Sequence, residues 1–345
     1  MNFEQYKKEF IEEASKAGYS EQNIQRCLTY AEKLFIKNVP VIYNTTHLSA
    51  LVGYKKEYLK KAVFYTNHFY RDFDILKKNG KKRLISEPLP SLKEIQIWIL
   101  KNILYKVNVS AFAKAYKPNV SIIENLKFHK NQPKVFTLDL ENFFSSIKVE
   151  SIEQLFLQLE YSPLISNLLS KLCCRENALP QGAPTSPYLS NMYFNPADDI
   201  ISKHCTGRKI RYTRYADDLT FSGDFDEKEL LCMVDKTVKD LGLQINKSKT
   251  KLMRPNTRQI VTGIVVNEKP QVLFKKRNEI RQSLYFIKKF GFDDHANFKK
   301  ITKVNYLEHL FGQINFILQI NKDDKEFLEY KAVLLNLKMK RSLIN

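Results

Sequence analysis

Two adjacent carboxylates, Asp217 and Asp218, stand between two alternating, strand-like runs, Arg211–Tyr215 and Leu219–Ser222. That pattern puts both acids at the tip of a β-hairpin. A third acid, Asp139, closes an earlier apolar run that begins at Val135. Three carboxylates on neighbouring strand ends can hold a pair of Mg²⁺ ions, the arrangement that clamps the attacking and leaving oxygens of phosphoryl transfer. The other aspartate pairs are poorer candidates. Asp198 and Asp199 fall in a helical pattern, where successive side chains point about 100° apart. Asp293-Asp294 and Asp323-Asp324 read as solvated polar turns.

Between the acid-bearing runs lies Leu179-Pro-Gln181-Gly182-Ala-Pro-Thr185-Ser186-Pro187. This is a turn leading into a helix capped by Thr185 or Ser186, with Pro187 at its first position. It is either an ordinary capped helix or the floor of a nucleotide pocket, with Gly182 allowing close backbone approach and Gln181 offering both donor and acceptor.

The chain around these residues has 345 positions, 43% of them hydrophobic, enough for a sizeable core and too many for a disordered tail. Lys and Arg outnumber Asp and Glu by 56 to 37, a formal charge of +19. Such an excess serves solubility or marks a polyanion-binding surface, and beside clustered carboxylates it points to an enzyme that builds nucleic acid. The five cysteines include no CxxC pair, which suggests neither a disulfide framework nor a zinc site and fits a reducing, cytoplasmic location. No apolar run approaches membrane-spanning length.

The elements that must position the acids follow from periodicity. Residues 3–38 read as two helices, with a third pattern around Leu59–Tyr65. Residues 70–85 read as a hairpin turning at Asn79-Gly80, and Ser91 begins a further helix. From 133 to 265 strands and helices alternate: a strand at 134–140, helices near 150–160 and at 187–204, the hairpin at 209–223, a helix at 227–241, and strands near 243–252 and 261–266. The fold class is α+β, and beyond residue 275 the chain turns helical and lysine-rich.

At this point the motifs resemble those of a known family. The runs "LDLENFFSSI" (138–147), "LPQGAPTSPYLSN" (179–191) and "RYADDLTFS" (214–222) are similar, in order and spacing, to the three core palm motifs of reverse transcriptases. "GLQINKSKT" (242–250) resembles their fourth motif and "KKNGKKRLISEP" (77–88) their fingers hairpin. The resemblance implies a right-hand polymerase: an N-terminal helical extension (1–64), fingers (65–132), a palm with a small antiparallel sheet backed by helices (133–268, with fingers elements near 150–178) and a basic helical thumb (269–345). It implies that Asp139, Asp217 and Asp218 bind two Mg²⁺ ions, with the Leu140 carbonyl as an additional ligand. Phe144 aligns with the aromatic gate under the sugar that favours dNTPs over NTPs. Gln181 and Gly182 would line the nucleotide site, and Arg83, with Lys81 or Lys82 beside it, would hold the triphosphate. Lys249 is either a proton donor to departing pyrophosphate or a solvated lysine.

Two further stretches resemble signatures of retron reverse transcriptases: Asn125-Leu-Lys-Phe-His129, with Leu126 where the family usually has Ala, and Val261-Thr262-Gly263. On a helix Asn125 and His129 lie one turn apart and either contact RNA together or cap local structure. Val261-Thr262-Gly263 either contacts RNA or forms a plain tight turn. The resemblance implies a structured noncoding RNA as template, a branched RNA–DNA product primed from an internal guanosine 2′-OH, and an anti-phage role with a separate effector protein. The C-terminal lysines and arginines (Lys275, Lys276, Arg277, Arg281, Lys288, Lys289, Lys299, Lys300, Lys303) would form the outer face of helices tracking a duplex, or a merely soluble surface. Rival readings are an intron-type or other defence-associated reverse transcriptase, an RNA-templated RNA polymerase, and a catalytically dead RNA-binding scaffold.

Overall fold

Helix caps set the N-terminal segment of the computed structural model, which describes residues 2–76, 80, 82–301 and 305–342. Asn79 and Lys81 of the expected hairpin apex, and Lys303, lie outside the described residues. The Asn2 side chain accepts from the Gln5 amide at the head of helix Phe3–Lys16, and Ser20 from the Asn23 amide at the head of Glu21–Ile36. Helix Thr45–Val52 was not expected; at eight residues it is too short to show a helical period, and its signals are the Asn44 cap and left-handed Gly53 that bound it. Helix Lys56–Phe64 follows, where the sequence placed one.

Strands β1 (Tyr70–Leu76) and β2 (Lys82–Pro88) pair antiparallel from Tyr70↔Pro88 to Leu76↔Lys82. Past Tyr70 every residue of β1 is exposed, so this ribbon projects from the body. Its base is fixed by buried Gln96 of helix Pro90–Asn102, which donates both to the Tyr70 hydroxyl (2.9 Å) and to the Leu172 carbonyl (2.8 Å). Leu172 belongs to helix Pro163–Cys173, a second unexpected element.

The central sheet contains β3 (Val135–Asp139), β4 (Arg211–Tyr215), β5 (Asp218–Ser222) and β6 (Lys251–Met253), all antiparallel, in the order β4-β5-β3-β6. Register and the two-residue period sort its side chains. Phe136, Leu138, Tyr212, Leu219 and Phe221 share one face and join the main core. Thr137, Thr213, Thr220 and Ser222 share the other, which ends in Asp139 and Asp218. Helices Ser186–Gly207 and Glu227–Asp240 pack on the apolar side. Two expectations are corrected here. Thr185 already has helical dihedrals and makes no side-chain cap bond, because the hydroxyls of Thr185 and Ser186 are turned into the core. The strand expected near 243–252 is interrupted: Ile245 bridges Leu140, the backbone then turns through Lys247–Lys249, and only Lys251–Met253 pairs.

Beyond β6, strands β7 (Ile260–Val261), β8 (Ile264–Val265) and β9 (Gln271–Val272) form a small antiparallel sheet. It shares a second core with helices Phe274–Phe290, Phe292–Phe298, Tyr306–Ile320 and Lys325–Ser342. Val135 and Met253 of the central sheet belong to that second core. Arg277 and Arg281, expected on an outer basic face, turn inward instead: Arg281 binds both oxygens of Glu326, at 2.5 and 2.7 Å, and Arg277 pairs with Asp324. Asp324 is accordingly buried rather than solvated, and Asp293-Asp294 open a helix rather than sit in a turn.

Candidate functional site

Asp139 ends β3 directly opposite Asp218, the first residue of β5, with Asp217 in the turn before it. Backbone bonds lock the three together. The Leu140 amide donates to the Asp217 carbonyl (3.0 Å), and the Asn246 amide donates to the Asp139 carbonyl (2.7 Å). Leu140 itself is buried beside the acids.

The turn is held from beneath by a residue that the sequence did not flag. Arg214 is fully buried, and its guanidinium donates to both oxygens of Asp198 (3.0 and 2.7 Å), to Asn191 (3.0 Å) and to the Ala216 carbonyl (3.1 Å). Ala216 has φ +59°, a left-handed conformation unfavourable for a residue with a Cβ, so the contact stabilises a strained point in the turn. Tyr212 adds a bond to Asp198 (2.6 Å), and the Phe194 ring lies 4.4 Å under the guanidinium. The available signal was phase: Arg214 occupies a core-facing position of β4, where a charge requires a buried partner.

Electrostatics favour a cation here. Burial, and then repulsion from Asp217 and Asp139, pushes Asp218 up to about 6; burial raises Asp217 as well, with Asp139 adding to it. Lys249 meets Asp139 at 2.7 Å, brought there by the Lys247–Lys249 turn. The donor set, three clustered carboxylates with a single ammonium, fits divalent cations in its chemistry. Its geometry is not closed, however: among the described residues no three acidic, histidine or cysteine side chains converge on one ion position.

Of the expected nucleotide residues, Lys249 touches the acids, Arg83 lies within electrostatic reach of Asp217, and Phe144 is linked to them through Tyr116. Phe144 follows left-handed Asn142 in the short helix Phe143–Ser146 and is half-buried. Its ring faces Tyr116, 6.4 Å away, a residue not expected here; Tyr116 has φ +63°. Burial and then Asp217 raise the Tyr116 phenol, while Arg83 opposes, so Arg83 and Tyr116 both lie within electrostatic reach of the acids. Tyr116 is delivered by the segment before it, where Arg214 and Phe112, and Lys114 and Arg214, exchange backbone bonds alongside β4. Gln181 and Gly182 dock on β2: the Ser86 amide donates to the Gln181 carbonyl (2.8 Å). Gly182 has φ +133°, and a Cβ there would meet the Ser86 carbonyl oxygen at 2.7 Å. The glycine thus permits a close crossing of turn and hairpin. Lys82 pairs with Asp74 on the exposed ribbon, and Lys81 lies outside the described residues.

The expected RNA-contacting residues are not brought to this site. Asn125 and His129 are fully buried. The His129 ring nitrogens bond Ser222 and Thr213, each at 2.7 Å, and Thr213 donates to Asn125. The pair therefore braces the polar face of β4 and β5 and presents nothing to a polyanion, which corrects the expectation of direct contact. Burial drives His129 down to about 3, so it is neutral. Thr262 and Gly263, both with positive φ, make the two-residue turn joining β7 to β8, while Val261 is buried in the second core. The Thr262 hydroxyl is buried and without a hydrogen-bond partner.

Residues 75–308 match the family described as reverse transcriptase (RNA-dependent DNA polymerase). The chain is 33% identical over 298 residues to the retron Ec86 reverse transcriptase of Escherichia coli, covering 85% of this chain and 89% of that one. It is 31% identical over 280 residues to the retron Ec83 reverse transcriptase of Escherichia coli, covering 76% and 86%. Among solved structures, telomerase from Candida albicans in complex with a fragment of telomeric RNA aligns with 77% of this chain and 62% of that one, at 11% identity and a TM-score of 0.45, too distant to carry an argument.

Proposed function

Because the chain belongs to the reverse transcriptases, among the retron enzymes, and is thereby an RNA-directed DNA polymerase, we propose that Asp139, Asp217 and Asp218 are its catalytic centre and that it copies a structured noncoding RNA of its own. The observation that carries the proposal is the pairing of Asp139 with Asp218 across adjacent strands, with Asp217 locked to Leu140 beside them. Two Mg²⁺ ions held there, with the Leu140 carbonyl as a further ligand, would lower the pKa of the primer hydroxyl and neutralise the triphosphate.

The chain's own groups then divide the work. Arg83 holds the triphosphate through its planar fork, with Lys81 or Lys82 beside it. Phe144 stands under the sugar and excludes a 2′-hydroxyl, with Tyr116 against its ring. Gln181 and Gly182 form the floor. The primer hydroxyl gives its proton to solvent water and forms the new bond to the α-phosphorus as the bond from that phosphorus to the bridging β-phosphate oxygen breaks. Lys249, already beside Asp139, supplies a proton to the departing pyrophosphate. Of the expected Val261-Thr262-Gly263 contact, buried Val261 can only support the turn, and the exposed backbone at Gly263 contacts the cognate RNA. The product is a branched RNA–DNA hybrid begun from a guanosine 2′-hydroxyl, made in the cytoplasm and used in anti-phage defence with a separate effector. Similarity to retron reverse transcriptases supports that reading, and a net charge of +19 suits a protein that holds nucleic acid. Among the described residues no helix is long and apolar enough to cross a membrane.

The combined change Asp217→Asn and Asp218→Asn is expected to abolish primer extension while RNA binding, followed by gel shift, survives. Extension at more than about one-hundredth of the wild-type rate would reject the acids as catalytic, since loss of the charge cluster removes the main electrostatic contribution. Sequencing the nucleic acid that copurifies separates a retron product from that of an intron-type enzyme: a 2′–5′ branch is expected.

A further inference from the structure

The C-terminal helices carry an aromatic face that nothing in the polymerase reaction uses. Phe286 and Phe290, one turn apart on helix Phe274–Phe290, lie near-parallel (19°) with centroids 6.1 Å apart. On its other side Phe286 is near-parallel (11°) to His295 at 6.3 Å. The rings line a cavity of about 450 Å³ together with Phe298 and Asp294. Phe290 is 52% exposed and Phe298 82% exposed. Rings left this exposed and grouped on one face form the kind of apolar patch that marks a binding surface.

The surroundings identify the occupant's chemistry. Between residues 275 and 300 there are eight Lys or Arg against three Asp or Glu. With Arg277 and Arg281 spent on internal pairs, the outward charge comes from lysines. The Lys289 ammonium lies 5.1 Å from the Phe290 centroid and 5.8 Å from that of Tyr285. Lys299 and Lys300 are exposed at the end of helix Phe292–Phe298. Parallel rings interleaved with cations are how proteins hold a single strand: bases stack on rings while ammonium groups meet phosphates. Asp294 on the cavity wall sets a carboxylate there, which disfavours phosphate inside and can accept from an amino group.

We propose that the cavity lined by Phe286, Phe290, Asp294, His295 and Phe298 takes an unpaired nucleobase of a bound single strand, with Lys289 and Lys299 on the flanking phosphates. This rests on the chain being a nucleic-acid polymerase, which primer extension by the unaltered protein tests separately.

The test uses the full chain freed of copurifying nucleic acid and fluorescence anisotropy with labelled 12-nucleotide single strands of RNA and of DNA, the same strands with central abasic sites, and a blunt duplex. Phe290 and Phe298 are exposed enough for Phe290→Leu with Phe298→Leu to keep the fold, which a thermal melt verifies. The double variant is expected to bind an intact single strand about tenfold more weakly, to bind the abasic strand as the wild type does, and to keep its duplex affinity within twofold. Loss with RNA alone assigns the cavity to the template side, and loss with DNA alone to the product side; both support the proposal. Lys289→Gln with Lys299→Gln is expected to reduce the salt slope for single strands by about 1.4, the value for two phosphate contacts. Unchanged single-strand affinity in the leucine variant overturns the proposal, as does an equal loss on the duplex. So does loss of a copurifying protein with nucleic-acid binding intact, which would make the face a protein interface.

Discussion

Two hairpins of this molecule share a topology and differ in what surrounds them. The β4–β5 hairpin is buried along nearly its whole length, flanked by β3 and backed by helices, with a guanidinium under its turn. Among the described residues the β1–β2 ribbon has no third strand, and all of β1 beyond its first residue is exposed. The first carries the carboxylates proposed as catalytic, whose relative positions must then be fixed within fractions of an ångström; the second carries Arg83, proposed to meet a mobile triphosphate. Rigidity here comes from what encloses a hairpin, not from the hairpin itself.

Breaking the enclosure is expected to have the largest effect. Arg214→Ala leaves Asp198 buried without its partner and should cost about 3–5 kcal/mol in urea unfolding, with primer extension lost alongside. A cost below 1 kcal/mol would show that the pair does not hold the turn. Next comes His129. The unfolded histidine takes its proton near 6.5 and the folded one only near 3, so stability is intact above pH 6.5 and declines as pH falls below it. Between pH 7 and pH 5 the loss should be about 2 kcal/mol, and it should vanish in His129→Asn. Equal pH slopes in the two proteins would mean that His129 is not held neutral.

Gly182→Ala lies where the Gln181-Gly182 turn crosses the β1–β2 ribbon. Forcing a Cβ against the Ser86 backbone should cost about 1–3 kcal/mol and raise the dNTP KM more than it lowers kcat, read by steady-state kinetics. The smallest structural effect is expected on the ribbon itself. Leu84→Thr, on an exposed β2 position, should shift stability by less than about 0.5 kcal/mol, whereas Arg83→Gln should raise the dNTP KM with stability unchanged. A large loss of stability from Leu84→Thr would erase the contrast between the hairpins.

Asp217 and Asp218 were legible because residue type, adjacency and flanking period all reported on one local hairpin, and Asp139 because it closes an apolar strand run of its own. Arg214 was not, since its partners Asp198 and Asn191 come from another element and only the fold sets them beside it. Asn125 and His129 show the converse: the helix ends at Leu126, short of His129, and the two meet through Thr213 on the polar side of the sheet, a burial that sequence does not report. The same gap turned Arg277 and Arg281 from an outer basic face into internal ion pairs. Lys249 reached Asp139 only because the fourth-motif strand breaks after Ile245, and strand interruption leaves no mark in hydrophobic period.

Val135 packs in the core of the C-terminal helices, Phe136 and Leu138 pack in the main core, and Asp139 follows at the strand's end. One strand of five residues, roughly 17 Å long, is therefore an axle common to both halves. A tilt of the C-terminal lobe therefore bears on the same strand whose far tip carries Asp139, so on the proposed function that lobe and the catalytic acid share one rigid shaft.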